Sequence, residues 1–532
     1  MQPRSNAPMP VAATADPSTT GTPIAPGRPS DGRAGVVSLV EGVALFLIVA
    51  GVYLRSVSPF PASWDTGEMQ VAPYILGIPH PTGFPAFMLL GWLFSHAEPL
   101  GTVAWRMNAF CALLIASVVL MVRQLALELG ANRLPALAAS LVFAFGALVW
   151  NKASHADVHA LALAFATLTL LASARFIVRR ERSWLYCAAV AYGLGLATHP
   201  NVVWTGPALL IALGVELRRS PRAAFIAVGL AVAPLLIYAY LPIRSFVIAS
   251  SGLDPANQAP FNGVGEMIWD TNHPRTLDGF ITEVFATQFA ASSFLDWPWR
   301  LSTYDAAIPF WFSRAPSELT VAAIVLAAIG LLGALREMRP TALATAAVFL
   351  GAFATVPFAA VFAPVEGGDV ARYLLLSFAV TCVLAALAPY GLPLPRWIAS
   401  TLTAAVLSLV AWHLYSVNQS AYGSRYDTGG QAIINDVQAA VPDGAVVISN
   451  WIDATSIAYG AYVDHSLGRR IPLTYNGDEA HVYRSWTKRY RVFIYANFAI
   501  LPGVPHDIPK DWLMARRSPD LSHQLFEIRP LP

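Results

Sequence analysis

Two carboxylates three residues apart, Asp65 and Glu68 in Trp64-Asp65-Thr66-Gly67-Glu68, follow directly on the first long apolar segment of the chain. If the segment is helical, that spacing puts both acids on one face. Two chemistries fit. Asp65 at an N-cap with Glu68 at the third position is the pattern of a capping box. Alternatively, one acid is a general base and the other positions a partner or tunes its proton affinity. Ile78-Pro79-His80-Pro81-Thr82-Gly83-Phe84-Pro85 lies just behind. Its prolines and glycine fix an irregular turn, in which His80 is either incidental or aimed at the same cleft.

Other polar clusters punctuate the apolar sequence. Trp150-Asn151-Lys152-Ala153-Ser154-His155-Ala156-Asp157-Val158-His159 packs a lysine, an acid and two histidines into one helix junction. Asp157 there reads as a helix cap or a site acid. His155 and His159 have the i, i+4 spacing of a metal pair, but no third ligand is evident, so no metal or other cofactor is expected. His199 ends another apolar run. Trp269-Asp270-Thr271-Asn272-His273-Pro274-Arg275 and Tyr240-Leu241-Pro242-Ile243-Arg244 follow, and Val370-Ala371-Arg372-Tyr373 opens a late one. Arg244, Arg275 and Arg372 suit a lipid headgroup or sugar phosphate; snorkelling or loop ion pairs are the plainer readings.

The elements that must carry these residues are membrane helices. The 532 residues are 56% hydrophobic and 12% charged, against about 25% charged in soluble domains. A net charge of +2 gives no case for nucleic acid. Cys111, Cys187 and Cys382 each sit in an apolar run and read as small buried hydrophobes. Eleven spans are expected, near 36–55, 107–127, 134–150, 157–177, 184–199, 202–217, 223–242, 318–335, 341–362, 371–389 and 396–417. Residues 86–96 are too short to span and read as an interfacial or re-entrant helix. Threaded in order, the spans put Arg123, Arg133, Arg179, Arg180, Arg182, Arg218, Arg219, Arg222, Arg336, Arg339 and Arg396 on one side, the cytoplasm. Loops 56–106 and 243–317 then lie outside. The fold class expected is a polytopic α-helical membrane protein: a disordered cytoplasmic tail over 1–35, a transmembrane domain over 36–417, and a small extracytoplasmic α/β domain over 418–532 with strands near 444–449, 491–495 and 526–528. Ionisable groups gathered on one membrane face suggest a single polar cavity there.

Asp65-Thr66-Gly67-Glu68 followed by Leu76-Gly77-Ile78-Pro79-His80-Pro81-Thr82-Gly83-Phe84-Pro85 resembles the "DSGE…LGIAHPPGYP" signature of a large membrane family. That family includes the plexin-type protein O-mannosyltransferase of the endoplasmic reticulum and many bacterial relatives. Ala156-Asp157-Val158-His159-Ala160-Leu161 resembles its "AEVYAL" block, with Asp for Glu and His for Tyr. The stretches ending at His199, Arg244 and Thr276 also match, so the resemblance covers about 36–310. It implies a GT-C fold and transfer of a sugar, mannose in the characterised member, from a polyprenyl-phosphate donor to an acceptor hydroxyl on a protein, glycan or lipid. It implies an acid of the first outer loop as base, here Asp65 with Glu68 beside it, and a bacterial inner membrane with the site on its outer face. His80, Arg244, Arg275 and Arg372 are the candidates for donor phosphate or sugar; Asp157, His159, His199, Asp270 and His273 are further cavity candidates. A transporter or flippase of lipid-linked saccharides is the rival, and would place its charges at the bilayer midplane.

Overall fold

The computed structural model describes residues 32–266, 268–288, 302–337, 340–475, 480–497, 508–516 and 523–530. Most of the expected N-terminal tail, residues 1–31, lies outside them. The helices in order are α1 (Gly32–Leu54), α2 (Trp64–Ile75), α3 (Pro85–Ser95), α4 (Val103–Glu128), α5 (Arg133–Ala144), α6 (Ala147–Ser154), α7 (Val158–Arg179), α8 (Arg182–Leu196), α9 (Gly206–Leu217), α10 (Pro221–Val232) and α11 (Tyr240–Ser251). They continue with α12 (Leu277–Phe285), α13 (Ser302–Arg336), α14 (Pro340–Phe353), α15 (Thr355–Glu366), α16 (Leu375–Ala386), α17 (Arg396–Val417), α18 (Gly429–Ala440), α19 (Trp451–Tyr462) and α20 (Ala480–Trp486).

Among the described residues, eight helices are long and apolar enough to cross a membrane, or nine if a bent pair forms one span. The eleven expected spans are therefore not reached. The expected span 134–150 is the bent pair, α5 and α6 meeting at 66°. The expected span 184–199 is α8, only 15 residues, which at 1.5 Å per residue falls short of a bilayer core of about 30 Å. The expected span 371–389 is likewise a short apolar helix, Val370–Ala386. Leu236, Phe225, Leu409 and Trp412 stand exposed on the long helices, as lipid-facing side chains must, because lipid replaces water as their solvent. The chain is an integral membrane protein; which side each loop faces rests on the arginine pattern alone.

The C-terminal region closes with a five-stranded sheet, β1 (Val446–Ser449), β2 (Ile471–Thr474), β3 (Val492–Asn497), β4 (Leu513–Arg516) and β5 (His523–Ile528), in the order β2-β1-β3-β5-β4. The first three strands of that order are parallel; β5 and β4 pair antiparallel. Two strands, Ile471–Thr474 and Leu513–Arg516, were not read in the sequence: Pro472 interrupts the first and Arg516 ends the second, so neither gives the unbroken apolar run of Val446-Val447-Ile448. The side-chain period of two divides the sheet's burial. Val446, Ile448, Val492 and Ile494 join a core with α20 and Phe261; Val447, Phe493 and Tyr495 join the core of the helical bundle. The outer edge of β2 is covered, since Thr474 N–H donates to Gly265 O at 2.9 Å. This keeps an edge strand from presenting unpaired groups.

Candidate functional site

Helix α2 carries the paired acids, and its beginning is unusual. Trp64 has φ 64°, a left-handed conformation rarely adopted by a bulky residue. The capping box does not form: Asp65 lies inside the helix, the N-cap is Ser63, and Ser63 makes no side-chain cap bond. Instead Asp65 Oδ2 accepts from Arg372 Nη1 at 3.0 Å, a contact across 307 positions of sequence. Glu68 is fully buried. It accepts from the backbone N–H of His80 at 3.0 Å and pairs with the His80 ring. Burial opposes a charged His80, but the carboxylates of Glu68, Asp65 and Glu283 prevail and raise its pKa to about 9. His80 is thus an imidazolium at neutral pH.

Gly67 explains why the motif needs a glycine between its acids. A Cβ there would stand 2.2 Å from Ala62 O and 2.7 Å from Thr455 Oγ1. Helix α19 lies directly on this turn: Ser456 Oγ sits 2.9 Å from Ser63 Oγ and donates to Ala62 O at 3.0 Å. The docking brings Trp451 edge-on to His80, with ring centroids 5.5 Å apart, and to Trp64 at 6.4 Å.

The polar junction between α6 and α7 adjoins this corner. Asp157 caps α7, accepting from His159 N–H at 2.8 Å, and also pairs with Lys152 Nζ at 2.7 Å and His159 Nδ1 at 2.8 Å. The His159 ring meets that of His199 at 4.6 Å and Tyr373 at 5.3 Å; His199 stacks on Phe84. His159, Asn201, Thr355, Arg372 and Tyr373 line one small cleft. The structure therefore gathers Asp65, Glu68, His80, Asp157, His159, His199 and Arg372. The His155–His159 spacing is not helical, because α6 ends and α7 begins between them. Among the described residues no three His, Cys, Asp or Glu are grouped to hold a metal ion.

Arg244, Arg275, Asp270 and His273 are placed elsewhere. Arg244 donates to Leu76 O at 2.6 Å and Ile75 O at 2.9 Å, satisfying the C-terminal carbonyls of α2. Arg275 pairs with buried Asp270. His273 bridges Asp270 Oδ2 at 3.1 Å and Glu266 Oε2 at 2.8 Å. This knot holds the strand-like contact between Ile78 and Trp269, N–H to O at 3.0 Å, and so supports the His80 turn from behind.

Glu283 was not foreseen. It is fully buried on α12, held by Asn272 Nδ2 at 2.8 Å. Burial pushes its carboxyl well above the usual range, against the Asn272 amide and His80. An acid set among apolar residues in Phe280-Ile281-Thr282-Glu283-Val284-Phe285 was the available signal.

Residues 65–221 match the family model described as the Protein O-mannosyl-transferase TMEM260 N-terminal domain. The fold resembles the crystal structure of ArnT from Cupriavidus metallidurans in the apo state, with a TM-score of 0.50 and 12% identity over 93% of this chain and 98% of that one. The fold class is thus that of the ArnT structure, a helical membrane-protein architecture. Among relatives, Protein O-mannosyl-transferase TMEM260 of Mus musculus is 28% identical over 265 residues, 48% of this chain and 35% of the mouse protein. That of Dictyostelium discoideum is 32% identical over 111 residues, 20% of this chain and 13% of that protein. These sequence matches fall on the part of the chain whose motifs carry the resemblance, and they are likenesses to O-mannosyl-transferase relatives over part of their length. The matched region spans about a third of the mouse relative's length.

Proposed function

We propose that the chain is a glycosyltransferase that moves a hexose, mannose by analogy with the named relatives, from a polyprenyl-phosphate donor to a hydroxyl of a protein or glycan acceptor. The site faces the extracytoplasmic side, in a bacterial inner membrane. The observation that carries the reading is the Asp65–Arg372 pair beside the Glu68–His80 pair: an acid that can take a proton and a cation that can take a phosphate, side by side. Asp65 removes the proton of the acceptor hydroxyl as its oxygen bonds to the anomeric carbon. The C1–O bond to phosphate breaks in the same displacement, inverting the centre, and Arg372 stabilises the charge growing on the leaving phosphate. Glu68 holds His80 charged and fixes the turn behind Asp65. Arg244 and Arg275, spent on carbonyls and on Asp270, drop out as phosphate ligands. No resident metal is invoked.

The test is transfer of label from polyprenyl-phosphate mannose in membranes containing the full chain. Asp65→Asn should lower transfer by about 10²–10⁴-fold, with Glu68→Gln retaining more activity than Asp65→Asn. Equal transfer by Asp65→Asn removes Asp65 as base. Movement of an intact lipid-linked saccharide across the bilayer, with no sugar transferred, would replace the enzyme reading with the transporter.

A further inference from the structure

Trp64 has no role in the proton and phosphate chemistry above, yet the structure treats it as special. It is a bulky residue in a left-handed backbone conformation, 48% exposed, and next in sequence to Asp65. Strain of this kind persists where the surroundings enforce it, commonly at ligand sites. The enforcing element is α19. Its contacts through Ser456 and Thr455 fit the Ser63–Gly67 turn. Its first turn is fixed by Asn450, whose Oδ1 accepts from Asp453 N–H at 3.0 Å. Trp451, the first residue of that helix, then stands with its ring 71° from that of Trp64 and 88° from that of His80.

Two indoles meeting nearly at right angles make an apolar corner, beside an acid and an imidazolium. A pyranose has the complementary make-up: C–H faces that pack on an aromatic plane and a rim of hydroxyls that needs polar partners. Ligand sites are generally built in this way, from aromatic walls and a few placed polar groups. On the proposed reading, the transferred hexose must reach Asp65, whose neighbour is one of the two rings. Resting on that reading, we infer that Trp64 and Trp451 are the walls of the subsite for the transferred pyranose. The C-terminal region thereby supplies a sugar-specificity residue to a site whose phosphate and proton chemistry lies in the helical bundle.

The experiment compares two lipids on the purified full chain in nanodiscs: polyprenyl phosphate, and polyprenyl phosphate bearing mannose or glucose. The native chain should bind the sugar-bearing lipid more tightly than the bare one. Trp64→Ala and Trp451→Ala should each weaken binding of the sugar-bearing lipid at least tenfold and leave that of bare polyprenyl phosphate unchanged, and Trp451→Phe should recover most of the loss. Unchanged bare-lipid binding is also the check that each variant is folded; Trp64, half exposed, is the one least needed for packing. If Trp64→Ala binds both lipids as the native chain does, or loses both in parallel, the subsite is overturned. If the native chain binds bare lipid and gains nothing from either sugar, the subsite is also overturned while the phosphate site stands. A native chain that binds neither lipid removes the transferase reading itself.

Discussion

Among the described residues, two constellations are built from the same residue types, and one of the two leaves a face toward a cleft. Asp65, Glu68, His80 and Arg372 form the first; Asp270, Glu266, His273 and Arg275 form the second. In the second, Asp270 is wholly buried beneath both His273 and Arg275, and His273 spends its other nitrogen on Glu266. In the first, Asp65 stays a quarter exposed against Arg372, which also lines a cleft. The second set turns its bonds on itself, whereas the first leaves Asp65 partly exposed and Arg372 on a cleft, which is why the proposed function is placed there. The two are mechanically joined, because the Asp270 knot props the turn that carries His80.

The sharpest way to break this contrast is to neutralise one acid in each. Asp65→Asn should remove about 10²–10⁴-fold of transfer with little change in melting temperature. Asp270→Asn should do the reverse. Removing one partner of a buried pair costs about 3–5 kcal/mol, and the partial exposure of Arg275 and His273 puts the expected loss near about 3 kcal/mol. Thermal unfolding in detergent reads that loss directly, while transfer at low temperature should largely survive. If Asp270→Asn abolishes transfer without lowering the melting temperature, the knot belongs to the site and the contrast fails.

The sequence made the first constellation half visible. Asp65, Glu68 and His80 lie within 16 residues and inside a specific motif, so their neighbourhood was legible. The sequence presents Arg372, Arg244 and Arg275 as three equivalent outer cations. Their fates depend on contacts 307, 168 and 5 residues away, and only the last is local. The helical class and the α/β C-terminus were legible from hydropathy and short strand runs. The number of spans was not, because α8 is only 15 residues, the apolar Val370–Ala386 helix is also too short, and the span expected over 134–150 is bent by 66°. That Trp451 crosses to Trp64 is a contact across 387 positions that nothing local in the sequence shows.

A smaller effect is expected at Gly67, which joins the first constellation to the C-terminal region. Gly67→Ala places a methyl against the Ala62 carbonyl and the Thr455 hydroxyl. Overpacking of this kind costs about 1–3 kcal/mol, and relief requires α19 to lift from α2. The expected result is faster proteolysis of the C-terminal region and weaker transfer, with the spans intact. Thr455→Ala should partly rescue it by vacating one of the two contacts; no rescue would mean the Ala62 backbone contact dominates.

A last effect is a dependence on pH common to both constellations. His80 and His273 are each raised from 6.5 to about 9, His80 against burial by Glu68 and its neighbouring acids, His273 through its bonds to Asp270 and Glu266. For a group whose folded pKa lies above its unfolded one, stabilisation is complete below the unfolded value and fades as pH rises to the folded one. Melting temperature should therefore fall between about pH 6.5 and 9. His273→Gln and His80→Gln should each flatten part of that slope, and the two should differ in one respect. Loss of the His273 charge should change stability alone. Loss of the His80 charge should also change transfer, since its partner Glu68 lies in the same turn as Asp65. A flat melting profile over this range would mean that neither imidazole holds its proton through a carboxylate, and a shared loss of transfer in both variants would again merge the two constellations into one.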